Sequence, residues 1–283
     1  MILSICILSY NTKSLTLQCL KSLEDQYKEE INKKILEIIV VDNASTDGSA
    51  EAISNFQLIK NKENVGFSKG CNVGAKAAKG EYVLFLNSDT EVNDRGLLRM
   101  VKYLKQHQDV GILGGRLLNE NGSAQLSAGR FYTLLNIFIM LFGGERFGFL
   151  RSSPIEICEV DWVMGASLMI KKELFDKLNG FDENFFMYIE DMELCYRVKK
   201  MGYKVVFYPD VQIIHKKLGS SNRTFAVIYI YKGILYFYKK HKNYLSYIIV
   251  KILLMIKALI SILIGIITFK KYLIYTYKKA ITF

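Results

Sequence analysis

Three acidic side chains stand where a carboxylate could do chemistry rather than only face solvent. Asp42 and Asp89 each follow a run of apolar residues, and Asp191 follows Glu190 where the pattern predicts the start of a helix. A carboxylate can accept hydrogen bonds from a ligand, hold a hard divalent cation, or take a proton from a hydroxyl. The sequence therefore offers separate groups for binding, for metal coordination and for general base catalysis.

Polar residues follow three predicted strands at the points where the strands end. The strands are the apolar runs at residues 2–8, 35–41 and 82–86, each typical of a strand buried on both faces. Ligands of open α/β sheets bind beyond the carboxyl ends of the strands, so we expect these polar residues to line one nucleotide pocket. They are Ser9, Tyr10 and Asn11, then Asp42 and Asn43, then Asn87, Ser88 and Asp89. Taken alone, Asp89 is explained equally well as a cap for the next helix.

The order of strands and helices predicts an α/β fold with a mostly parallel central sheet and right-handed crossovers. Helices are expected at residues 14–26, 49–55, 68–78, 94–107, 172–178 and 190–201, and further strands at 58–60, 110–118, 162–170, 203–208 and 211–215. Segment 131–150 is apolar and aromatic. We interpret it as core, with a mobile acceptor-side lid or a membrane-touching segment as alternatives.

Phosphate-binding loops of the common nucleotide folds are absent from the sequence. No Gly-x-Gly-x-x-Gly follows the first strand, and no Walker loop occurs, which disfavours dinucleotide and ATP phosphate cradles. Phosphate charge would have to be met by a metal on Asp89. Asp42 suits recognition of a pyrimidine base or a ribose, because a carboxylate accepts N–H or O–H hydrogen bonds.

Glu190 and Asp191 fall at the predicted N-terminus of a helix. Acidic residues there are favoured by the helix dipole, which explains the pair without any function. The functional alternative is a general base that takes a proton from an acceptor hydroxyl, a role that requires an ionised carboxylate within reach of the reacting oxygen.

Together these stretches resemble the family-2 glycosyltransferases, which have the GT-A fold, and within them the rhamnosyltransferase-like branch. The likeness covers about residues 2–220, with the motifs in the expected order. The motifs are Ser9-Tyr10-Asn11, Val40 to Gly48, Asn64-Val65-Gly66-Phe67 to Asn72-Val73-Gly74, Leu86-Asn87-Ser88-Asp89, Gly165-Ala166, Gly180-Phe181-Asp182-Glu183, Glu190 to Arg197, and His215.

The resemblance implies a site built from these motifs. Asp191 would be the catalytic base with Glu190 in support, and Asp89 would bind Mg²⁺ or Mn²⁺ and the diphosphate. His215 matches a position that often faces the diphosphate, and we assign it to the metal with Asp89; a structural histidine is the alternative. The implied nucleotide-sugar contacts are Ser9, Tyr10, Asn11, Asp42, Asn43, Asn64, Gly66, Asn72, Asn87, Ser88 and Gly165. Asn87 stands where many relatives carry another Asp, so metal binding depends on one carboxylate.

The resemblance also implies an inverting transfer of one sugar to a hydroxyl of a glycan or lipid-linked acceptor, in cell-surface polysaccharide synthesis. The donor would be dTDP-rhamnose or a UDP-hexose. The processive branch carries a Gln-x-x-Arg-Trp motif, whereas Trp162 is the only tryptophan here and lacks it. Two rivals remain: a sugar nucleotidyltransferase, which usually has a Gly-rich basic loop after the first strand, and a non-catalytic membrane-bound scaffold of the same fold.

Positive charge is concentrated at the C-terminal end. The net charge is +11, yet residues 216–283 hold 13 basic and no acidic residues, which leaves 25 basic against 27 acidic in residues 1–215. A nucleic-acid binder usually carries the basic face on its folded domain, so we expect no nucleic acid and instead an anionic membrane surface as partner.

Segment 246–269 is apolar except for Lys251 and Lys257. Lys257, Ser261, Gly265 and Thr268 share one helical face, which favours a helix lying in the membrane interface over a full span. A helix docked on the protein body is the remaining alternative.

These patterns predict two domains, a GT-A domain at residues 1–235 and a basic, apolar, membrane-associating tail at 236–283. The GT-A domain would divide into a nucleotide-binding half, about 1–110, and an acceptor half, about 111–235. We expect a peripheral or monotopic protein at the cytoplasmic face of the cell membrane. The five cysteines are scattered without metal or redox spacing, which indicates free thiols in a reducing compartment.

Overall fold

Apolar runs of the first half of the chain form adjacent parallel strands, as their burial on both faces requires. A computed structural model describes residues 1–143, 149–216 and 222–282. The strands are β1 Leu3–Ser9, β2 Leu36–Asp42, β3 Gln57–Lys60, β4 Tyr82–Asn87, β5 Thr90–Val92, β6 Val110–Leu118, β7 Ala128–Gly129, β8 Arg151–Ser152, β9 Cys158–Val160, β10 Trp162–Val163, β11 Ser167–Lys171 and β12 Lys204–His215. The helices are α1 Lys13–Asn32, α2 Ser49–Ala52, α3 Phe67–Ala77, α4 Gly96–Gln106, α5 Leu134–Leu141, α6 Lys172–Lys177, α7 Glu190–Lys200, α8 Arg223–His241, α9 Tyr244–Ile267 and α10 Lys271–Ala280.

The central sheet has the strand order β3-β2-β1-β4-β11-β6-β12-β5, with β9 also paired to β12. Strands β1 to β4 are parallel, and β11, β5 and β9 run antiparallel to their neighbours. Register places Ser9 opposite Asp42, and Leu8 opposite Asn87. The polar ends of β1, β2 and β4 therefore meet at one edge, as predicted.

Two apolar layers cover the sheet. One contains the inner faces of α1 and α4, with Leu23 and Met100 fully buried. The other contains α3, α6, α7 and α8, with Phe175, Leu194 and Phe237 in its core. The same apolar patterns that predicted these helices thus set which face each helix buries.

Two predicted strands differ from the structure. Residues 162–170 form not one strand but β10 and β11, which belong to different sheets and are separated by Met164, Gly165 and Ala166. Conversely, residues 204–215 form the single strand β12, because the pairing with β6 shifts register between Tyr208 and Gln212 and so accommodates Pro209.

The predicted domain boundary at 235/236 falls inside α8, a helix that the sequence reasoning did not identify. The buried carboxylate of Glu193 on α7 accepts hydrogen bonds from Lys240 Nζ and His241 Nε2, both at 2.8 Å. Burial alone would raise the pKa of Glu193, but the bond from His241 and the charges of Arg197 and Lys240 outweigh it and lower that pKa. Paired charges therefore anchor the end of α8 to the body.

Helices α8, α9 and α10 pack together. The buried face of α9 contains Ala258, Ser261 and Gly265. A Cβ added to Gly265 would lie 2.9 Å from Ile274 Cγ1, so the absence of a side chain lets α10 approach closely. The polar face that the sequence assigned to a membrane interface is thus turned toward α10 in its Ser261 and Gly265 part.

The outer face of α9 is apolar. Its exposed apolar residues include Ile252, Met255, Ile256, Leu259, Ile260, Leu263, Ile264, Ile266 and Ile267. Among the described helices, α9 is long and apolar enough to cross a membrane, by length and composition. Helix α9 is therefore both docked on the protein and open on an apolar side.

Segment 131–150 forms the short helix α5, which packs beside α9. Ile137 and Leu141 are buried, whereas Leu135 is 67% and Phe138 is 50% exposed. The prediction that this segment is core is therefore correct for one face of α5 only. Its residues 144–148 lie outside the described part of the chain.

Candidate active site

Buried hydroxyl groups join the carboxyl ends of β1 and β4. Ser9 Oγ lies 2.9 Å from Thr16 Oγ1, and Thr12 Oγ1 lies 3.1 Å from Ser88 Oγ. These groups are nearly inaccessible to solvent, so their hydrogen bonds hold the two strand ends together. Ser9 and Ser88 thus lie at the expected edge, and Tyr10 next to them is half-buried.

Asp42 presents an unsatisfied acceptor at this edge. Its Oδ2 accepts a hydrogen bond from the backbone N–H of Ser45 at 3.0 Å. Its Oδ1 is buried and has no hydrogen-bond partner in the described residues. An unpaired buried polar atom costs roughly 1–3 kcal/mol. An N–H or O–H group of a ligand would remove that cost.

The side chain of Asn43 is used within the protein. Its Nδ2 donates to Asn64 Oδ1 at 3.0 Å and to the carbonyl oxygen of Gly66 at 3.1 Å. Its Oδ1 accepts from Asn61 Nδ2 at 2.8 Å. These bonds shape the loop at residues 61–66, and contacts of Asn43, Asn64 and Gly66 with a nucleotide sugar stay predictions.

Asn11 and Asn72 also tie separate segments together. Asn11 Oδ1 accepts from the backbone N–H of Thr46 at 2.8 Å. Asn72 exchanges two hydrogen bonds of 2.9 Å with the backbone of Phe181. Asn72 therefore holds α3 against the turn before α7, and its contact with a nucleotide sugar, like that of Asn11, stays a prediction.

His215 lies between Asp89 and a residue that the sequence did not single out, Gln125. Gln125 Nε2 donates to the carbonyl oxygens of His215 and Leu118, which turns its Oε1 toward the imidazole. His215 Nδ1 is 2.9 Å from that Oε1, and an amide oxygen can only accept. Nδ1 therefore carries the hydrogen, and in the neutral ring Nε2 keeps its lone pair.

That lone pair faces oxygen. His215 Nε2 lies 3.3 Å from Asp89 Oδ1 and 3.4 Å from Asn87 Nδ2. Either a proton on Nε2 or a shared metal ion would join these two atoms, and two ligands at adjacent corners of one octahedral Mg²⁺ or Mn²⁺ stand about 3 Å apart. The spacing of the pair fits the implied metal, and the Asp89 carboxylate is a ligand that suits both Mg²⁺ and Mn²⁺. No set of three or more His, Cys, Asp or Glu converges on a metal position in the described residues, so further ligands would come from a diphosphate or water.

A strained turn delivers Glu190 and Asp191 to the site. Tyr188 and Ile189 have φ of 69° and 72°, in the left-handed region that a β-branched residue rarely adopts. The preceding Phe186 carbonyl accepts a hydrogen bond from the N–H of Phe67 at 2.6 Å. A Cβ on Gly66 would collide with that carbonyl, so the glycine permits the contact. Such strain persists where the surroundings over-determine it, often at functional sites.

The Asp191 carboxylate is held from both sides. Its Oδ2 accepts from the Gly165 N–H at 3.0 Å, and its Oδ1 accepts from the Met192 N–H at 2.7 Å. Burial raises the pKa of Asp191, against the opposing effects of these hydrogen bonds and of the Arg151 charge. Burial and the charge of Asp191 raise the pKa of Glu190 still more strongly. The two backbone N–H groups thus favour the ionised form of Asp191, whereas the buried Oε2 of Glu190 has no hydrogen-bond partner in the described residues.

A cavity of about 610 Å³ lies in front of these groups. Of the predicted site residues, it is lined by Asn87, Gly165, Glu190, Asp191 and His215. Asp89 is joined to it through His215. The others (Ser9, Tyr10, Asn11, Asp42, Asn43, Asn64, Gly66, Asn72 and Ser88) do not line this cavity. The structure thus brings Asp191, the predicted base, into one cavity with His215, and leaves the predicted nucleoside contacts along the sheet edge.

Sequence reasoning missed several residues of the site. Gln125 had no signal, because only its contact with His215 distinguishes it. Arg151, Arg223 and Lys257 line the cavity from outside the recognised motifs. Lys257 is one of two cations in an apolar helix, but the sequence pattern assigns it to the polar face of that helix and not to the site.

Residues 4–178 match the model of the family described as Glycosyl transferase family 2. The chain belongs to glycosyl transferase family 2. A second model, described as the N-terminal domain of galactosyltransferase, matches residues 158–219. The predicted membership of this enzyme family is confirmed, and the protein is a glycosyltransferase.

Similar proteins include rhamnosyltransferases. The N-acetylglucosaminyl-diphospho-decaprenol L-rhamnosyltransferase of Mycobacterium tuberculosis is 25% identical over 209 residues, which cover 66% of this chain and 68% of the relative. Rhamnosyltransferase WbbL of Escherichia coli is 29% identical over 152 residues, 53% of this chain and 57% of the relative. The predicted likeness to the rhamnosyltransferase branch is confirmed.

The fold has a solved counterpart in the mannosyltransferase PcManGT of Pyrobaculum calidifontis, whose crystals contained GDP-Man and Mn²⁺. The TM-score is 0.57 at 18% identity, and the match covers 99% of this chain and 84% of that one. The GT-A fold expected from the sequence is confirmed.

Proposed function

We propose that this glycosyltransferase moves one sugar from a nucleotide-diphosphate sugar to a hydroxyl of a glycan or lipid-linked acceptor, with inversion at the anomeric carbon. The observation that carries the proposal is the Asp191 carboxylate, which lines a large cavity together with Asn87 and His215. A single displacement needs the base and the group beside the departing diphosphate to lie in the same cavity.

Asp191 is the general base in this mechanism. As the acceptor oxygen attacks the anomeric carbon, its proton passes to an oxygen of Asp191, and the bond from that carbon to the diphosphate breaks. Burial raises the pKa of Asp191, which makes it a stronger base than an ordinary aspartate. The Gly165 and Met192 N–H groups hold the carboxylate in place.

Asp89 and His215 would hold Mg²⁺ or Mn²⁺, which would neutralise charge on the departing diphosphate. Gln125 keeps His215 in the tautomer whose Nε2 lone pair faces Asp89. Asn87 Nδ2, at 3.4 Å from the same nitrogen, adds a donor for a phosphate oxygen. The ligand atoms of Asp89 and His215 support this metal site, and so does the Mn²⁺ in the PcManGT structure.

The donor is dTDP-rhamnose or a UDP-hexose. The buried, unpaired Oδ1 of Asp42 supports recognition of a pyrimidine N–H or a ribose hydroxyl. The rhamnosyltransferase relatives favour rhamnose as the sugar. We place the reaction in cell-surface polysaccharide synthesis.

The membrane-associating element is α9, which lies along the membrane as an interfacial helix at the cytoplasmic face of the cell membrane. Its buried small-residue face and exposed apolar face support this orientation. Basic residues flank it on both sides, among them Lys242, Lys270 and Lys271, as expected beside an anionic leaflet.

The test is a donor panel. The purified full chain, with Mn²⁺, is incubated with dTDP-rhamnose and with UDP-hexoses, and nucleotide diphosphate release and the anomeric configuration of the product are measured. We expect transfer from one donor with inverted configuration. A product of retained configuration would refute the single-displacement mechanism.

A further inference from the structure

The cavity in front of Asp191 has two walls of different chemistry. One wall is formed by the sheet edge and α7, with Asn87, His215 and Asp191. The other is formed by helices α5, α8, α9 and α10 and the strand β8. Three cations lie on this second wall, Arg151, Arg223 and Lys257. A site for a neutral sugar hydroxyl alone has no use for so much positive charge.

The two cations on α8 and α9 face aromatic rings rather than carboxylates. The Arg223 guanidinium lies 5.7 Å from the ring centre of Tyr272, and Lys257 Nζ lies 6.0 Å from that of Phe142. In the described part of the chain, neither has a carboxylate within salt-bridge distance. Aromatic faces hold a cation in place without neutralising it, so both remain available to an anion.

The acidic residues of the cavity do not balance these cations. The carboxylates that line it are Glu190 and Asp191. Among the described residues, no salt bridge joins either carboxylate to Arg223 or Lys257, so the helical wall keeps an excess of positive charge. The excess favours a ligand that brings negative charge to the helical wall.

The same wall continues into an apolar surface. Met140, Leu141, Val227 and Ile230 line the cavity beside the cations. Outside it, Phe138 of α5 and the exposed leucines and isoleucines of α9 extend the apolar surface over the neighbouring helices. Phosphate charge joined to a long hydrocarbon chain matches this combination.

We propose that Arg223 and Lys257, assisted by Arg151, bind the diphosphate of a polyprenyl-diphosphate-linked acceptor, whose hydrocarbon chain leaves between α5 and α9. This inference rests on the proposed function, and it names the acceptor class of that site. The donor diphosphate lies on the opposite wall, at Asp89 and His215. A membrane-associated α9 then brings the acceptor to Asp191 directly from the bilayer.

The experiment measures binding to the full chain in detergent by calorimetry. The probes are farnesyl diphosphate, farnesol, inorganic diphosphate, and UDP with Mn²⁺. The variants are Lys257→Met, Arg223→Met and Lys257→Arg, and the matched control is Lys251→Met, which removes an exposed lysine from the same helix. Circular dichroism reports the fold of each.

We expect farnesyl diphosphate to bind more tightly than farnesol or inorganic diphosphate. Lys257→Met and Arg223→Met should each weaken it about tenfold to a hundredfold, the effect of losing a hydrogen bond to a charged group. The affinity for UDP should stay near the wild-type value in these variants. Lys251→Met and Lys257→Arg should bind farnesyl diphosphate about as tightly as the wild type. If Lys257→Met does not fold, Arg223→Met compared with Lys251→Met tests the same inference.

Three outcomes would overturn the inference: equal losses for UDP and farnesyl diphosphate, which would assign the cations to the donor; equal binding of farnesol; or no change in either variant. Binding that depends on Lys257 in a protein that transfers no sugar from any donor would refute the proposed function and leave the diphosphate subsite intact.

Discussion

His215 Nε2 lies 3.3 Å from Asp89 Oδ1, and Gln125 occupies the other nitrogen of the same imidazole. His215 and Asp89 are far apart in the chain. They meet because β12 lies beside β5, where His215 pairs with Thr90. The contact between His215 and Asp89 is therefore a property of the tertiary structure, and under the proposed function Gln125 would be a positioning residue.

Replacing Gln125 by Leu should weaken Mn²⁺ binding by roughly 10-fold to 100-fold, because the imidazole loses the partner that fixes its tautomer. Gln125→Glu retains an oxygen acceptor and should restore much of the affinity. Mn²⁺ titration by electron paramagnetic resonance measures both. The exposed-face change Gln108→Leu is the control, and equal affinities in all four proteins would remove Gln125 from this role.

Asp191→Asn should lower the transfer rate by about 10²–10⁴, since it removes the positioned base and keeps the shape of the side chain. Donor binding should stay near the wild-type value, because Asp191 acts on the acceptor hydroxyl and does not hold the donor diphosphate. Turnover and donor affinity are measured side by side, with Asp176→Asn on α6 as an exposed control. Near-normal turnover would eliminate Asp191 as the base.

The rate should depend on pH through Asp191. Burial raises its pKa above the ordinary value of 3.8, and a base works only when ionised. The acid limb of the rate profile should therefore lie at higher pH than that of an ordinary aspartate, with activity lost as pH falls through the raised pKa. A profile of transfer rate against pH tests this, and a limb at or below pH 3.8 would contradict it.

Glu190→Gln should stabilise the fold at neutral pH. The folded-state pKa of Glu190 is raised, by burial first and by Asp191 second, so the stability of the wild type is full below the unfolded pKa of about 4.5 and falls as pH rises above it. The glutamine removes that loss.

Thermal unfolding at pH 7 and at pH 4 checks the change. We expect a rise of roughly 2–4 °C per kcal/mol recovered at pH 7, and little difference at pH 4. A variant that is less stable than the wild type at pH 7 would show that the Glu190 carboxylate is ionised and paired.

Substituting two exposed residues of α9, Leu259→Gln together with Leu263→Gln, should reduce sedimentation with anionic vesicles, because the apolar face would lose its affinity for the bilayer. Removing the whole helix is a poorer test, since Val250, Leu254 and Ala258 are buried against the protein. Leu126→Gln, at an exposed position on the body, is the control. Unchanged sedimentation of the double variant would mean that another surface binds the membrane.

Part of this site could be predicted because it follows from local pattern. Apolar runs that end in polar residues encode buried strands, and parallel strands bring their carboxyl ends to one edge. Ser9, Asp42 and Asn87 met there for that reason. The start of α7 at Glu190 and the apolar helix α9 were likewise visible in the periodicity of the chain.

Other features depend on partners that are distant in sequence. Asn43 and Asn72 carry the same side chain as Asn87, yet their amide groups form hydrogen bonds within the protein. Nothing local separates those roles. The split of residues 162–170 between two sheets, and the continuation of β12 past Pro209, were likewise decided by which strands lay alongside.

The sequence by itself determined the parallel sheet edge, the family and the carboxylate at the head of α7, since each depends on burial pattern or on contiguous motifs. Only the tertiary structure decided that Gln125 contacts His215, that burial raises the pKa of Glu190, and that Arg223 and Lys257 share a cavity with Asp191. The physical reason is that hydrogen bonding, desolvation and charge depend on the distance between atoms in space, which the spacing of residues along the chain does not specify.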